Sequence, residues 1–324
     1  MPDRSEVHTF CRVCEPACGL VARVEGGELR GLAPDRDHPV TRGFACHKGI
    51  AGVEIHRDPD RLDRPLERTP DGLVARGWDE ATSGIARRLR AILDAHGPNA
   101  VASYIGNPTA FNTLAGPAAG GFFAQLGVRR TFGSGTQDCA NKFAGSEAVF
   151  GSATVHPIPD LEHTDCLLVL GANPRVSHWS FISVADPMEA LRRARARGAT
   201  IHFVNPREIE SAAASTGDVV LIRPDTDVYL LAAMLCEIDA TTGFDPRATA
   251  EHGKRVAELR AFVRRYPPER AAAVTGIPAE RIRELAREFV SAPSASVHMS
   301  TGVNMGRQGT LAYWLVHMLS FVTG

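Results

Sequence analysis

The sequence predicts an α/β protein in which a small β-rich module precedes a parallel, helix-flanked, doubly wound sheet. Three observations predict this fold. Cysteines cluster in the first 50 residues around short alternating runs, amphipathic helices alternate with apolar runs from Trp78 onward, and those runs end in turns rich in Gly, Asn, Pro or Asp. Such alternation is typical of βαβ units. We place the first module at residues 1–60 and the sheet region at residues 61–324.

The N-terminal module is predicted from its alternating pattern. The run "LVARVEGGELRGL" alternates apolar and polar residues about Gly26 and Gly27, which predicts a β-hairpin with a two-residue turn. The following segment, 57–72, is charged and rich in proline without periodicity. We expect it to be an extended linker on the surface.

The sheet region is predicted because amphipathic helical segments alternate along the sequence with short apolar runs, which we interpret as strands. An amphipathic helix over 78–97 precedes a buried-strand candidate, "NAVASYIG". Parallel strands bind ligands outside their carboxyl ends, so the turns after the later strands are candidate binding sites. The remaining strands are predicted in "DCLLVLGANP", "ATIHFVNPR", "DVVLIRPDTD" and "SASVHMSTG", and the remaining helices in "PMEALRRARARG", at 227–240, at 279–291 and from Thr310.

Composition narrows the class of protein. The 36 basic and 37 acidic residues nearly balance, so no overall field favours nucleic acid or an anionic membrane as a partner. The sequence lacks an apolar leader at its start and any run of 18 uncharged apolar residues, which predicts a cytoplasmic protein without direct membrane insertion. Seven cysteines, an odd number, fit metal ligation in a reducing compartment better than a disulfide framework.

Four cysteines near the start form a candidate metal site: Cys11, Cys14 and Cys18 in "CRVCEPACGL", and Cys46 in "GFACHKGI". Three thiolates within eight residues, closed by a distant fourth, favour a [4Fe–4S] cluster over the paired knuckles usual for zinc. Structural zinc and unrelated thiols stay open on spacing alone. Lys48 follows Cys46 by two residues, where a cation stabilises a reduced cluster and bridges to an anionic cofactor; the alternative is a solvated surface lysine.

Turns after the predicted strands carry residues suited to an anionic nucleotide. In "GANP", Gly171 lets the backbone approach a phosphate and Asn173 offers amide donors. Arg207 in "NPRE" is a candidate phosphate or ribose partner, and Asp227 after "VVLIRP" is suited to accept hydrogen bonds from a guanine edge. Each of these residues also fits a structural turn or a helix N-cap.

These motifs, taken in order, resemble the molybdopterin oxidoreductases of the dimethyl sulfoxide reductase family, which include formate dehydrogenases and periplasmic nitrate reductases. The resemblance spans essentially the whole chain, from "CRVCEPACG" and "GFACHKG" through "DCLLVLGANP", "VNPRE" and "RPDTD" to "TGVNMGRQGT". It implies one [4Fe–4S] cluster, a molybdenum or tungsten centre with bis-molybdopterin guanine dinucleotide, and Lys48 between cluster and pterin. It further implies cofactor contacts at Gly171, Asn173, Pro174, His178, Asn205, Arg207, Asp227 and Lys142; His178 alternatively fills a structural role.

The sequence departs from the family at the usual metal ligand. In cysteine and selenocysteine members, the ligand lies six positions after an aspartate and two after a basic residue. Counting from Asp138, with Lys142 as the basic residue, places Ala144 there, and an alanine cannot ligate a metal. The resemblance then implies a shell completed by oxo, hydroxo or water, as in arsenite oxidase-like members. Cys139, the nearest thiol, fits better as a small buried hydrophobe.

We therefore predict a molybdopterin oxidoreductase, or its N-terminal portion, that performs two-electron redox or oxygen-atom transfer on an unidentified small-molecule substrate. Electrons would leave through the cluster to a partner subunit. The resemblance implies a further C-terminal domain that is missing here, and the apolar final helix favours a partner surface or a truncation. The alternatives are a non-catalytic electron-transfer subunit, resembling the large iron–sulfur subunit of respiratory NADH dehydrogenase, and a zinc-stapled interaction protein.

Overall fold

The computed structural model describes residues 3–14, 16–178 and 184–324. The chain divides into two compact units, Met1–Gly135 and Thr136–Gly324. The first unit therefore reaches well past residue 60, where the sequence places the end of the cysteine module. The predicted boundary at residue 60 divides the chain by the cofactor that each part binds, and not by compactness. Compactness does not test it, so this boundary stays a prediction.

The first unit begins with a three-stranded antiparallel sheet. Strands β1 (Arg4–Phe10), β2 (Gly19–Glu25) and β3 (Glu28–Pro34) pair in that order. Gly26 and Gly27 connect β2 to β3 with φ angles of 60° and 80°, a conformation that side chains other than glycine rarely adopt. The predicted hairpin is confirmed. Two short helices follow, α1 (His47–Ile50) and α2 (Gly52–Arg57).

The predicted linker is wrong in its second half. Strands β4 (Leu66–Thr69) and β5 (Gly72–Ala75) form an antiparallel hairpin there. The hydroxyl of Thr69 donates a 3.0 Å hydrogen bond to the carbonyl of Gly72 and closes the turn. Strands of four residues are too short for an alternating pattern to stand out among charged neighbours.

The rest of the first unit is one helix followed by a small βαβ unit. The predicted helix is confirmed, and it ends where Gly97 donates its N–H to the carbonyl of Leu93. The strand predicted as buried also forms, but its burial is wrong: Tyr104 is 74% exposed. These elements are α3 (Trp78–His96), β6 (Ala102–Ile105), α4 (Ala115–Gln125) and β7 (Arg130–Gly133), with 3-10 turns at Pro98–Ala100 and Asn107–Phe111.

The second unit contains a four-stranded parallel sheet surrounded by helices. Its strands are β8 (Cys166–Leu170), β9 (Thr200–Asn205), β10 (Asp218–Leu221) and β11 (Ala295–Met299), in the order β10-β9-β8-β11. The predicted parallel, helix-flanked sheet is thereby confirmed. The short helix α5 (Gly135–Asp138) spans the boundary between the units. The helices of the second unit are α6 (Ala140–Phe150), α7 (Pro174–Ser177), α8 (Pro187–Ala196), α9 (Asp227–Thr241), α10 (Pro246–Glu251), α11 (Val256–Val263), α12 (Pro268–Thr275), α13 (Ala279–Ser291), α14 (Thr301–Asn304) and α15 (Gly309–Thr323).

The central strand β8 shows why both faces of this sheet carry helices. Leu168 and Leu170 pack into a core with α9, α13 and α15, whereas Leu167 and Val169 pack on the opposite face against α8. All five residues of β8 are buried, as expected for a parallel strand covered on both sides. The chain order reverses between β8 and β11, and this reversal defines the switch point where such sheets bind ligands.

The final helix packs mainly into its own unit. Leu315, Leu319 and Val322 of α15 lie in the core beside α9. Trp314, on the other side of the helix, lines an open groove of about 1020 Å³ together with Phe150. Within the described ranges, no helix combines the length and the apolar character needed to cross a bilayer.

Candidate cluster and cofactor sites

The cysteines lie on two loops that meet beside the N-terminal sheet. Cys11 follows β1 and Cys18 precedes β2, and the Cys11 N–H donates a 2.8 Å hydrogen bond to the Cys18 carbonyl. Cys14 lies in the turn between them, where its carbonyl accepts from the N–H of Ala17 at 3.2 Å. Cys46 is the N-cap of α1 and approaches from the other loop.

The electrostatics of Cys18 show that three of the sulfurs share one apolar site. Burial, followed by the nearby sulfurs of Cys11 and Cys46, raises the pKa of the Cys18 thiol to about 11. Cys11 and Cys18 pack with Leu20, and Phe44 covers them. Thiolates in such a site need a bound cation to hold their charge.

The chemistry of these four donors suits a cluster. Among the described residues, no three His, Cys, Asp or Glu side chains converge closely enough to share one metal ion. A four-iron cubane requires less convergence, because each thiolate binds a different iron. The donor set of four cysteines therefore fits the group that the sequence predicts.

Helix α1 brings Gly49 close to Cys11 and carries Lys48 one residue before it. A side chain at Gly49 would place its Cβ 3.1 Å from the sulfur of Cys11, which is tighter than ordinary packing. Gly49 therefore leaves room for the sulfur and whatever it binds. Lys48 is half-buried on the same short helix, two residues after Cys46 in the sequence.

In the second unit, the backbones of two loops meet at the switch point of the sheet. The N–H of Gly302, after β11, donates a 2.9 Å hydrogen bond to the carbonyl of Gly171, after β8. Gly171 has a φ of 63°, and a Cβ there would lie 2.6 Å from the backbone nitrogen of Val303. Glycine is needed at 171 both for the backbone conformation and for this close approach.

Asn173 is held by residues that the sequence analysis did not select. Its amide donates to Glu210 at 2.5 Å, and its carbonyl oxygen accepts from the hydroxyl of Ser211 at 2.6 Å. Arg207 lies 3.3 Å from the same Glu210 carboxylate. Three hydrogen bonds lower the pKa of Glu210 to about 2. The largest effect comes from its own backbone N–H, followed by the side chains of Asn173 and Arg207. In the sequence, the three-residue spacing of Arg207 and Glu210 could have predicted that their side chains pair.

The predicted residues on the neighbouring strands occupy the same edge of the sheet. Asn205, buried at the end of β9, donates a 3.1 Å hydrogen bond to the carbonyl of Ala172. Asp227 begins α9 after β10, and burial, with a smaller contribution from Asp225, raises its pKa to about 6. Asp225 itself accepts a 2.8 Å hydrogen bond from the N–H of Arg307 and so links β10 to the loop after α14.

The three remaining predicted contacts occupy different surroundings. Pro174 is buried at the first position of α7, and His178 ends that helix with a φ of 50°. Lys142 on α6 is only 4% exposed. Burial, and secondarily the charge of Lys142, lowers the pKa of His298 to about 3. Ala144, two residues later, is exposed.

Helix α6 is tied to the switch-point loop. The amide of Asn141 donates to the carbonyls of Asn304 and Gly306, at 2.7 and 3.0 Å. Gly145 packs against Tyr313 of α15, since a Cβ at 145 would lie 2.7 Å from that ring. The second unit thus places the turns after β8, β9, β10 and β11 at one edge of its sheet, with α6 attached to the last of them.

A thiolate-lined module followed by a parallel sheet with a glycine-lined switch point is typical of an iron–sulfur protein that also binds a nucleotide-type cofactor. The chain belongs to the molybdopterin oxidoreductase family. The family model "Molybdopterin oxidoreductase" matches residues 61–324, and the model "Molybdopterin oxidoreductase Fe4S4 domain" matches residues 5–57. These two assignments support a [4Fe–4S] cluster and a molybdopterin cofactor with molybdenum or tungsten.

Similar proteins cover nearly all of this chain. The F420-dependent formate dehydrogenase subunit alpha of Methanocaldococcus jannaschii is 29% identical over 98% of the chain and 46% of its own length. Formate dehydrogenase H of Escherichia coli is 28% identical over 98% of the chain and 44% of its own length. The nitrate reductase of Symbiobacterium thermophilum is 27% identical over 98% of the chain and 43% of its own length.

A solved structure shares the fold. Acetylene hydratase from Pelobacter acetylenicus superposes with a TM-score of 0.79 at 23% identity, over 98% of this chain and 43% of that chain. The chain thus spans less than half the length of each of these four proteins.

Proposed function

We propose that this chain is the cluster-bearing and pterin-binding portion of an oxidoreductase that performs two-electron redox or oxygen-atom transfer. The observation that carries the proposal is the presence, in one chain, of four clustered cysteines and a glycine-lined switch point at Gly171 and Gly302. An iron–sulfur cluster supplies one-electron steps, and a molybdenum or tungsten pterin centre supplies the two-electron chemistry.

The cysteine module would hold the cluster and insulate it. Cys11, Cys14, Cys18 and Cys46 supply the thiolates, and Phe44 with its apolar neighbours limits the access of water. Lys48 carries the positive charge nearest along the chain to Cys46, so we assign it the role of stabilising the reduced state and mediating electron transfer between the cluster and the pterin.

The second unit would hold the pterin nucleotide at the carboxyl edge of its sheet. Gly171 permits the backbone to approach a phosphate, with Pro174 fixing the turn that follows. Arg207 would bind an anionic group in competition with Glu210, which now lies 3.3 Å away. Asp227, with its raised pKa, suits a hydrogen-bonding edge such as that of guanine, and Asn205 holds the β8 and β9 turns together.

The reacting centre would lack a protein side-chain ligand. Ala144 occupies the place of the usual ligand, and buried Lys142 two residues earlier would contribute positive charge near an anionic substrate. His178 ends α7 directly after the Asn173 turn and is our candidate for a cofactor contact. The relatives named above act on formate and nitrate, and we propose a small anionic substrate of this kind.

Three further assignments belong to this proposal. Residues 1–60 form the cluster module and 61–324 the pterin-binding region. An electron-transfer subunit is the redox partner, in keeping with relatives described as alpha subunits. The location is cytoplasmic, since an odd number of cysteines, four of them clustered, fits metal ligation in a reducing compartment better than a disulfide framework.

Metal analysis of protein purified without oxygen tests the function. We expect about four irons per chain together with molybdenum or tungsten. Iron without either metal would indicate the non-catalytic electron-transfer subunit, and zinc alone would indicate the interaction protein. If neither iron nor molybdenum nor tungsten is retained after anaerobic reconstitution, the proposed function is refuted.

A further inference from the structure

Asn304, the last residue of α14, is a buried amide whose side chain has no hydrogen-bond partner within the described ranges. It is only 1% exposed, and its Oδ1 and Nδ2 are both shielded from solvent and beyond hydrogen-bond distance of any donor or acceptor there. A primary amide carries two N–H donors and an acceptor oxygen, and leaving them unsatisfied in the interior is costly. Folded proteins contain few such groups, so this one needs an explanation.

The backbone of Asn304 is held firmly in place. Its N–H donates a 3.1 Å hydrogen bond to the carbonyl of Ser300, and its own carbonyl accepts a 2.7 Å hydrogen bond from the Asn141 amide. Gly309 packs against the same carbonyl, since a Cβ at 309 would lie 2.6 Å from that oxygen. The fold therefore fixes the position of Asn304 while providing no partner for its side chain.

Asn304 lies at the edge of the sheet where ligands bind. Two residues earlier, Gly302 donates its N–H to the carbonyl of Gly171 at 2.9 Å, and the N–H of Ser300 donates to the carbonyl of Leu170 at 3.0 Å. These contacts join the start of α14 to the end of β8 at the switch point, outside the carboxyl ends of the strands. An unsatisfied amide at this place is explained by a ligand that hydrogen-bonds to it.

Asn141 shows how the fold satisfies an amide that has a structural role. Its Nδ2 donates to the carbonyls of Asn304 and Gly306, and its Oδ1 accepts a 3.0 Å hydrogen bond from the hydroxyl of Thr310. The side chain of Asn141 thus makes three hydrogen bonds within the protein, whereas that of Asn304 makes none in the part of the chain that the structure describes. The two residues form a matched pair for experiments.

We propose that the side chain of Asn304 binds the lactam edge of a pterin or guanine ring of the cofactor. A lactam places a carbonyl acceptor beside an N–H donor, and a primary amide offers a donor beside an acceptor, so the two edges are complementary. The Nδ2 of Asn304 donates to the ring carbonyl, and the ring N–H donates to its Oδ1. Both rings of molybdopterin guanine dinucleotide have this edge. The inference rests on the proposed function for the identity of the cofactor, and not for the reaction.

Binding of the separate rings tests the proposal. The chain is produced in a host that makes no pterin cofactor and is titrated with hydroxymethylpterin and with guanosine monophosphate. Asn304→Ala should raise the Kd of at least one of them tenfold or more, because two hydrogen bonds are lost, and Asn304→Asp should do the same, because an acceptor replaces the donor that faces the ring carbonyl. The ring whose binding depends on Asn304 is the one it recognises. Binding of both rings that changes less than tenfold in Asn304→Ala and Asn304→Asp would overturn the proposal.

Unfolding of the same cofactor-free chains separates a ligand-binding amide from a structural one. Asn141→Ala should lower the midpoint of urea unfolding, because two backbone carbonyls lose their donor. Asn304→Ala should lower it by less than half as much, because its side chain makes no hydrogen bond to lose. A decrease of half or more would indicate a structural role for Asn304 and would contradict the proposal.

The outcomes also separate this inference from the proposed function. Wild-type protein without molybdenum or tungsten, but with ring binding that depends on Asn304, would refute the proposed function and leave the inference standing. Wild-type protein that retains the metal, with ring binding unaffected by Asn304→Ala, would refute the inference alone.

Discussion

Buried His298 should make the second unit lose stability as the pH falls from 7 to 5. Burial, and secondarily the charge of Lys142, lowers the pKa of His298 from its ordinary 6.5 to about 3. Below pH 6.5 the unfolded chain binds a proton at this histidine and the folded chain does not, so acid favours unfolding. Stability contributed by neutral His298 is therefore present above pH 6.5 and lost toward pH 3.

The magnitude follows from the distance between the pH and the ordinary pKa. At pH 5, about 1.5 pH units below 6.5, the unfolded state gains about 2 kcal/mol relative to the folded state, whereas at pH 7 the gain is nearly zero. His298 is buried, so solvent screening reduces this value little. Burial, and secondarily the charge of Lys142, also lowers the pKa of the partly buried His317 to about 4, so this residue should add a contribution of the same sign.

Urea unfolding at pH 7 and pH 5, at constant ionic strength, measures the effect. Circular dichroism follows the helices, and cluster absorbance separately follows the unit that carries the cysteines. Between pH 7 and pH 5, the free energy of unfolding should fall by about 2 kcal/mol more in the wild-type protein than in His298→Gln. The control, His252→Gln, changes an exposed histidine and should retain the wild-type dependence. Equal losses in wild type and His298→Gln would refute the assignment of the pH dependence to this residue.

Three other changes have outcomes that the structure specifies. Cys14→Ala should abolish the visible absorbance of the cluster and lower the melting temperature of the first unit, because metal binding supplies folding energy; unchanged spectra and melting would count against a cluster there. Gly171→Ala should cost about 3 kcal/mol in urea unfolding, since strain and the clash with Val303 add, whereas Gly151→Ala, with a similar φ and open space, should cost about 1 kcal/mol. Lys48→Ala should retain the iron content and slow reduction of the cluster in stopped-flow absorbance, and an unchanged rate would make it a surface lysine.

Local signals explain the parts of the fold that could be predicted from the sequence. Gly26 and Gly27 predicted the first hairpin because a two-residue turn needs positive φ angles, and Gly97 predicted the end of α3. The strand runs in the second unit were predicted because buried parallel strands are apolar throughout. These signals depend on residues that are close in sequence.

Features that depend on distant residues could not be predicted in the same way. The burial assigned to "NAVASYIG" was wrong because burial depends on what covers a strand, and Tyr104 is exposed. Gly145 is explained only by Tyr313, which lies far along the chain. The partnership of Asn173 with Glu210 and Ser211 likewise joins two turns that the sequence separates. The predicted cofactor contacts themselves stay predictions.

The placement of Cys46 gives the cluster a mechanical consequence. Strands β2 and β3 lie within the 27 residues that separate Cys18 from Cys46, so a cluster bound at both positions closes a covalent loop around the hairpin. By analogy with a disulfide, closing a loop of this size removes chain entropy worth on the order of 4 kcal/mol from the unfolded state. Loss of the cluster through oxidation by oxygen would then remove this stabilisation of the hairpin and stop electron transfer at the same time. We expect a chain inactivated in this way to become a substrate for proteases.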